Sequence, residues 1–278
     1  MKRIRVSCSP DADDLFMFRG LMDGLIDPGP FQWDIGTEDT DALNRLATGN
    51  GPDVTAVSIG YYPRIADRYQ LLPHGGSVGD GYGPVVVARE PMTVDDLAGR
   101  KVAIPGETTT AWMVLRLICQ VDPVTVPITP YARIFEAIEA GEVDAGLVIH
   151  EGRLTYEDLG LHCVVDIGAW WKEKTGLPLP LGGNVISRAL GDDIPEVSRI
   201  LRASIAHALE NRDDAIAWLM ARGGALHTAE RVSQYLHMYA NGETLEYSPA
   251  AREGVARLYA EAHAAGLLPS SVRVDFAP

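Results

Sequence analysis

At 278 residues, 46% hydrophobic and 22% charged, the chain has the balance of a globular protein, which excludes disordered and fibrous classes. Its 24 Lys and Arg against 38 Asp and Glu leave a net charge of -14, a field that repels nucleic acid and anionic membrane surfaces. Three cysteines, Cys8, Cys119 and Cys163, are too few for a disulfide framework and form no C-x-x-C pair, so a reducing compartment is expected.

Lys2, Arg3 and Arg5 open the chain, but the apolar stretch behind them is short and Asp11 soon follows. Neither an export signal nor a transmembrane span is expected, and the location read from this is cytoplasmic. Residues 3–7 read as a first strand and 11–25 as a helix, with Leu15, Phe16, Phe18, Leu21, Met22 and Leu25 at helical spacing. A second strand is expected over 31–36, a helix over 40–47 capped by Thr40, a third strand over 53–58 and a helix over 62–67. The apolar run 84–89 makes a strand. The pattern then restarts with a strand over 101–104, a helix over 109–120, a strand over 125–128 and a helix over 131–140 with Gly141 just beyond it. Strands over 144–149 and 162–167 follow, the second leading into Trp170 and Trp171, and 184–188 reads as a return strand. Beyond Ile194 the pattern is helical only: one helix over 194–222 with Asp193 as cap, one after Thr228, and one opened by Ser248 and Pro249.

Strands alternating with helices define the α/β class. The restart near residue 89 and the return strand at 184 mark two crossings, giving a first lobe of 1–88 and 184–278 and a second of 89–183. That is the layout of a two-lobed, type II periplasmic-binding-protein-like fold with a C-terminal helical tail.

No G-x-x-x-x-G-K-[ST] or G-x-S-x-G motif occurs, and His150-Glu151 lacks the second histidine of a zinc-protease helix. The stretch Gly79-Asp80-Gly81-Tyr82-Gly83-Pro84 precedes a strand instead of joining a strand to a helix, so it lacks the setting of a dinucleotide loop. Neither a metal nor a nucleotide cofactor is expected. What remains are polar residues at the C-terminal ends of strands, where open α/β sheets bind ligands. Ser58 ends one strand, and Thr108-Thr109-Thr110 opens a helix after another, where hydroxyls and free amides suit a carboxylate or oxyanion. The same threonines also suit a helix cap and loop. His150 closes an apolar strand and reads either as a cleft-facing general base or as a structural histidine, with Glu151 on the opposite face if the strand continues.

Asp13 and Asp14 have a structural account as carboxylates complementing a helix N-terminus. Trp170 and Trp171 read as packing anchors, with stacking on an aromatic ligand as the alternative. Cys8 and Cys163 read as core thiols. His74, His162, His207, His227, His237 and His263 read as surface or internally satisfied.

The segments Ile149-His150-Glu151-Gly152-Arg153-Leu154-Thr155-Tyr156, Val165-Asp166-Ile167-Gly168-Ala169-Trp170-Trp171 and Thr175-Gly176-Leu177-Pro178-Leu179-Pro180-Leu181-Gly182 closely resemble the 1,4-dihydroxy-6-naphthoate synthase family of the futalosine route to menaquinone. Ser9-Pro10, Asp14, Phe16, Leu43-Asn44, Val54-Thr55 through Ser58, and Val102 through Thr110 support the match. The resemblance implies a lyase that converts cyclic dehypoxanthinyl futalosine into 1,4-dihydroxy-6-naphthoate without a cofactor. His150 matches the family's base, and Ser58, Thr109, Thr110, Asn44 and Asp14 fall on substrate-binding segments. Where the family carries Cys-Pro-Asn-Asp this chain has Asp11-Ala12-Asp13-Asp14, and a lysine common after the Val-Thr pair is Ala56. Both departures make the cleft more negative. A cytoplasmic binding protein for an aromatic carboxylate, or a paralogous lyase such as a chorismate dehydratase-like enzyme, would share the fold.

Overall fold

The computed structural model describes residues 1–126, 132–270 and 272–278. In chain order the first part folds as β1 (Lys2–Cys8), α1 (Ala12–Met22), β2 (Phe31–Thr37), α2 (Thr40–Leu46), β3 (Val54–Ser58), β4 (Tyr69–Leu71) and β5 (Ser77–Gly79). The second part runs β6 (Val85–Ala88), β7 (Lys101–Ile104), α3 (Thr110–Ile118), β8 (Asp122–Thr125), α4 (Ala132–Glu139), β9 (Ala145–Val148), β10 (His162–Asp166) and α5 (Ile167–Thr175). The chain returns through β11 (Leu179–Ser187) and ends in α6 (Ile194–Glu210), α7 (Arg212–Arg222), α8 (Ala229–Tyr239), the short α9 (Gly242–Leu245) and α10 (Pro249–Ala264).

Two sheets result, ordered β2-β1-β3-β11-β4 with β5 beside β11, and β10-β6-β9-β7-β8. In the first, β1 is parallel to β2 and β3, and β11 runs antiparallel to β3, β4 and β5. In the second, β7 is parallel to β8 and β9, while β6 is antiparallel to β9 and β10. The β-branched run of β6 buries all 4 of its residues, as a strand covered on both faces does.

Several expectations are corrected. Residues 85–88 belong to the second sheet, not to the first lobe, and the return strand begins at Leu179, five residues before the expected start. The crossings therefore fall between β5 and β6 and between α5 and β11. The helix expected over 62–67 is a 3-10 helix three residues earlier, at Ile59–Arg64, with Pro63 inside it. The helix expected over 194–222 breaks at Asn211 (φ -118°, ψ 44°), whose amide side chain donates to the His207 carbonyl and ends α6. The short helix α9 carried no apolar pattern; a capping box between Asn241 and Thr244 holds it. Ile128, in the strand expected over 125–128, and Tyr131, at the head of the helix expected over 131–140, lie outside the described residues.

Trp171 is fully buried in a core shared by the two sheets, and its Nε1 donates to the Pro178 carbonyl at 3.2 Å, so the packing reading holds. A Cβ on Gly168 would come within 2.1 Å of the Tyr82 carbonyl, and the absence of one lets α5 pack onto the 79–84 loop. Cys8 is a buried thiol, but Cys163 is exposed, because β10 is an edge strand whose side chains stay half open. No helix among the described residues is long and apolar enough to cross a membrane.

His74 is buried under α6, with Nε2 3.2 Å from Ser198 Oγ, and burial pulls its imidazole down to about 4. A group lowered from 6.5 contributes stability above its unfolded value and loses it as pH falls from about 6.5 to about 4. Denaturant unfolding at stepped pH is expected to show a shallower acid-side loss in His74→Gln than in the parent chain.

Candidate active site

The two sheets face one another across a cleft, and the C-terminal ends of β1, β3, β7 and β9 aim their loops into it. Between them lies a pocket open to solvent, with Asp11, Asp13, Asp14, Ser58, Thr110 and His150 in its wall. Its apolar surface comes from Met17, Leu43, Val57, Ala111, Leu181 and the rings of Tyr235 and Tyr239. Among the described residues that line it there is no lysine or arginine.

His150 stands just past β9, where the chain turns into a 3-10 helix at His150–Leu154. It is the non-glycine residue with positive φ (53°) among those described, a left-handed conformation that costs energy and recurs at functional sites. The turn carries the imidazole across the cleft to the first lobe. Nδ1 lies 2.9 Å from Asp11 Oδ2, and Nε2 lies 3.1 Å from Thr40 Oγ1. The turn also overturns the strand-parity expectation for Glu151, which is buried with Oε1 accepting from the Ala12 N–H at 3.2 Å, at the start of α1.

Asp11, Asp13 and Asp14 do not cap α1 with their side chains: the N-cap Asp11 makes no such bond. Instead Asp14 accepts the Ser9 N–H at 2.6 Å, Asp13 accepts the Tyr235 hydroxyl at 3.2 Å, and Asp11 accepts the Ser9 hydroxyl. Asp13 and Asp14 sit in the first turn of α1, as their structural account has it, and line the cleft as well. Their charge crowding is visible in protonation. Burial, then the Asp11 charge, raises Asp13 to about 6 and Glu151 to about 7. Burial and the neighbouring Asp13 raise Asp14 as well. For His150 burial opposes the charged form, but the Asp11 carboxylate, with Asp13 and Glu151 behind it, lifts the imidazole to about 9.

The opposite wall is built of hydroxyls and amides. Asn44, fully buried on α2, donates to Ser58 Oγ at 3.0 Å and to Thr108 Oγ1 at 2.9 Å, and its Oδ1 accepts the Ser58 N–H at 2.8 Å. Both ends of its side chain are thus spent on holding Ser58 and Thr108. Ser58 Oγ is an acceptor in this network, which leaves its own O–H to donate to a ligand. Thr109 caps α3 by accepting the Trp112 N–H, as the bland reading of the threonines had it. Thr110 Oγ1 donates to the Leu181 carbonyl at 2.6 Å and accepts the Gly60 N–H at 2.9 Å, so its hydroxyl ties α3 to the first sheet. With that hydroxyl spent, the donor Thr110 has left is its backbone amide in the first turn of α3, at the positive end of the helix dipole.

Asp11, Thr40, Ser9 and Tyr235 were not singled out by pattern as site residues. Thr40 was read as the cap of α2, yet Asp39 takes that place by accepting the Ala42 N–H at 2.9 Å, which frees the Thr40 hydroxyl for His150. The adjacent Asp39 was the available signal. Tyr235 gave none, since it enters the cleft from a helix more than two hundred residues away in sequence.

Asn44→Ala leaves the buried Ser58 N–H without its acceptor, a loss of about 1–3 kcal/mol expected in denaturant unfolding. Turnover is expected to fall with it, because Ser58 loses the side chain that aims it.

The fold and the cleft together define a periplasmic-binding-protein-like scaffold with a pocket between its lobes. The alkanesulfonate-binding protein of Xanthomonas axonopodis pv. citri shares this fold at TM-score 0.69 and 16% identity, covering 99% of this chain and 96% of that one. A solved protein from Archaeoglobus fulgidus superposes at TM-score 0.89 with 42% identity, over 96% of this chain and 98% of that one. This chain belongs to the menaquinone biosynthesis family, whose pattern it matches over residues 4–264. It is 40% identical over 278 residues, 99% of this chain and 100% of the relative, to a Thermus thermophilus protein named 1,4-dihydroxy-6-naphtoate synthase. A Streptomyces coelicolor protein of the same name is 35% identical, covering 96% of this chain and 95% of its own.

Proposed function

We propose that this protein is a lyase of menaquinone biosynthesis that converts cyclic dehypoxanthinyl futalosine into 1,4-dihydroxy-6-naphthoate, with His150 as general base. The observation that carries the reading is His150 itself, held in a strained turn at the wall of the inter-lobe pocket and bonded on both ring nitrogens to the opposite lobe. In its neutral form the imidazole takes a proton from a substrate C–H bond. That bond's electron pair becomes a C=C bond as the neighbouring C–O bond breaks, and the proton returns to the departing oxygen, so the imidazole is neutral again at the end of the cycle.

The other groups bind and orient. The aromatic body of the substrate packs on Met17, Leu43, Val57 and the two tyrosines. Its carboxylate is accommodated by the amides opening α3 and the Ser58 hydroxyl, because Ala56 offers no cation and the Asp11 to Asp14 wall repels an anion. Hydroxyls of the sugar-derived part donate to Asp13 and Asp14. Contacts across the cleft exclude water from the reaction: Thr108 to Asp41, and Arg231 to Asp158 through a paired fork whose second bond is 2.8 Å. The reading places the protein in the cytoplasm.

Incubation of the purified protein with cyclic dehypoxanthinyl futalosine, followed by mass spectrometry, is expected to yield 1,4-dihydroxy-6-naphthoate. Recovery of intact substrate from a folded, ligand-saturated sample would sink the lyase reading in favour of a binding protein.

A further inference from the structure

The side chain at the N-cap of α1 is placed against the usual habit of such a residue. An aspartate there normally turns back onto the first free amides of its own helix. Asp11 has the extended backbone of a cap (φ -71°, ψ 157°) but makes no cap bond. Its carboxylate is almost wholly buried and reaches out of the first lobe to His150 Nδ1, 2.9 Å away. Ser9 holds it in that rotamer from two directions, donating its hydroxyl to Oδ2 while accepting the Asp11 N–H at 3.1 Å. Oδ1 has no hydrogen-bond partner, so neither helix capping nor internal satisfaction explains the orientation.

We infer that Asp11 is a positioning residue for the lyase reaction: it accepts the Nδ1 proton of His150 and thereby makes Nε2, the nitrogen facing Thr40, the atom that removes the substrate proton. The inference rests on the reading of His150 as the base and goes beyond it by fixing which nitrogen acts and what fixes it. An imidazole donating through Nδ1 to a carboxylate has its lone pair on Nε2. Before substrate binds, the Thr40 hydroxyl donates to that lone pair across 3.1 Å, marking the direction from which a reacting hydrogen arrives. Asp11 fixes the ring plane as well, since it holds Nδ1 while Thr40 meets Nε2 on the far side of the ring.

The same arrangement sets the pH response. The groups facing the imidazole are Asp11, Asp13 and Asp14 from the first turn of α1, Glu151 from its own turn, Tyr235 of α8 behind Asp13, and the uncharged Thr40 of α2. Burial works against the charged ring, and Asp11 is the first of the carboxylates that outweigh it and raise His150 to about 9. Activity carried by the neutral ring therefore rises with pH toward that value, and removal of the Asp11 charge moves the rise to lower pH.

The test is Asp11→Asn, which keeps size and shape but presents either a neutral oxygen or an N–H to Nδ1. At the high-pH plateau kcat is expected to fall by about 100-fold or more with KM changed little, the loss characteristic of a wrongly held tautomer. The rising limb of kcat/KM is expected to move down by at least about one pH unit. In the parent protein, 15N NMR of the histidine ring above pH 10 is expected to show the neutral His150 with its proton on Nδ1, a readout that needs no variant to fold. A parent ring protonated on Nε2, or an Asp11→Asn enzyme with unchanged plateau and limb while His150→Ala is inactive, would overturn the role of Asp11 alone. Full turnover by His150→Ala would overturn the base assignment and this inference with it.

Discussion

His150→Ala is expected to lower kcat by about 10²- to 10⁴-fold, the contribution of a positioned general base, while ligand binding measured by calorimetry persists. The expectation follows from geometry. The ring is the cavity group that combines a proton-accepting nitrogen with contacts to both Asp11 and Thr40, whereas the Ser58 hydroxyl, held by Asn44, is placed to donate and the Thr110 hydroxyl is committed to the Leu181 carbonyl. The pH profile separates loss of the base from general damage. With the imidazole at about 9, the parent rate climbs through neutral pH, and the residual rate of His150→Ala is expected to be independent of His150 ionisation and to lack that climb. Because position 150 has φ of 53°, His150→Asn is the better matched control: asparagine adopts the left-handed region more readily than alanine. Both variants are expected to lose turnover alike, with His150→Asn the more stable in denaturant. Retention of turnover in either would move the base elsewhere in the carboxylate cluster.

Trp171→Ala is expected to destabilise the chain by about 3–5 kcal/mol, the range for emptying a buried aromatic site in a tightly packed core. Trp171 is fully buried on α5, and its indole ties that helix to the loop entering β11 through the Pro178 carbonyl. The substitution opens a cavity and leaves that carbonyl short of a donor, two costs that add. Trp171→Phe retains most of the apolar volume and is expected to lose about 1–2 kcal/mol, mainly through the lost hydrogen bond and incomplete filling. Urea titration of the three proteins orders them parent, Phe, Ala; equal midpoints for parent and Ala variant would mean that the return crossing is held by other contacts.

Most of the sheet strands were legible because burial on one or both faces writes itself locally. β1 alternates, β6 and β9 are continuous apolar runs, and β7 is three buried residues behind Lys101. Helix starts were legible where a single capping residue stood before the helix, as with Ser248 at α10. Reading failed where two adjacent residues could do the same job or where a partner lay far away. Thr40 and Asp39 both suit a cap, and only the approach of His150 decides between them. Val85–Ala88 is apolar enough for either sheet, and pairing with β9 and β10 assigns it.

The sequence by itself determined the α/β class, the two crossings, the apolar strand ends that carry Ser58 and His150, and a cleft without lysine at position 56, because each depends on local pattern or residue identity. Tertiary structure alone decided that Asp11 leaves its helix for His150, that Asp13 meets Tyr235, that Glu151 is buried at the start of α1, and that Thr110 spends its hydroxyl on the first sheet. Those outcomes turn on contacts between residues up to 222 positions apart, whose energies a local pattern does not contain. They also depend on burial, which raises Asp13 and Glu151 toward neutrality, and on the Asp11 carboxylate, which lifts His150 to about 9 against the effect of its own burial.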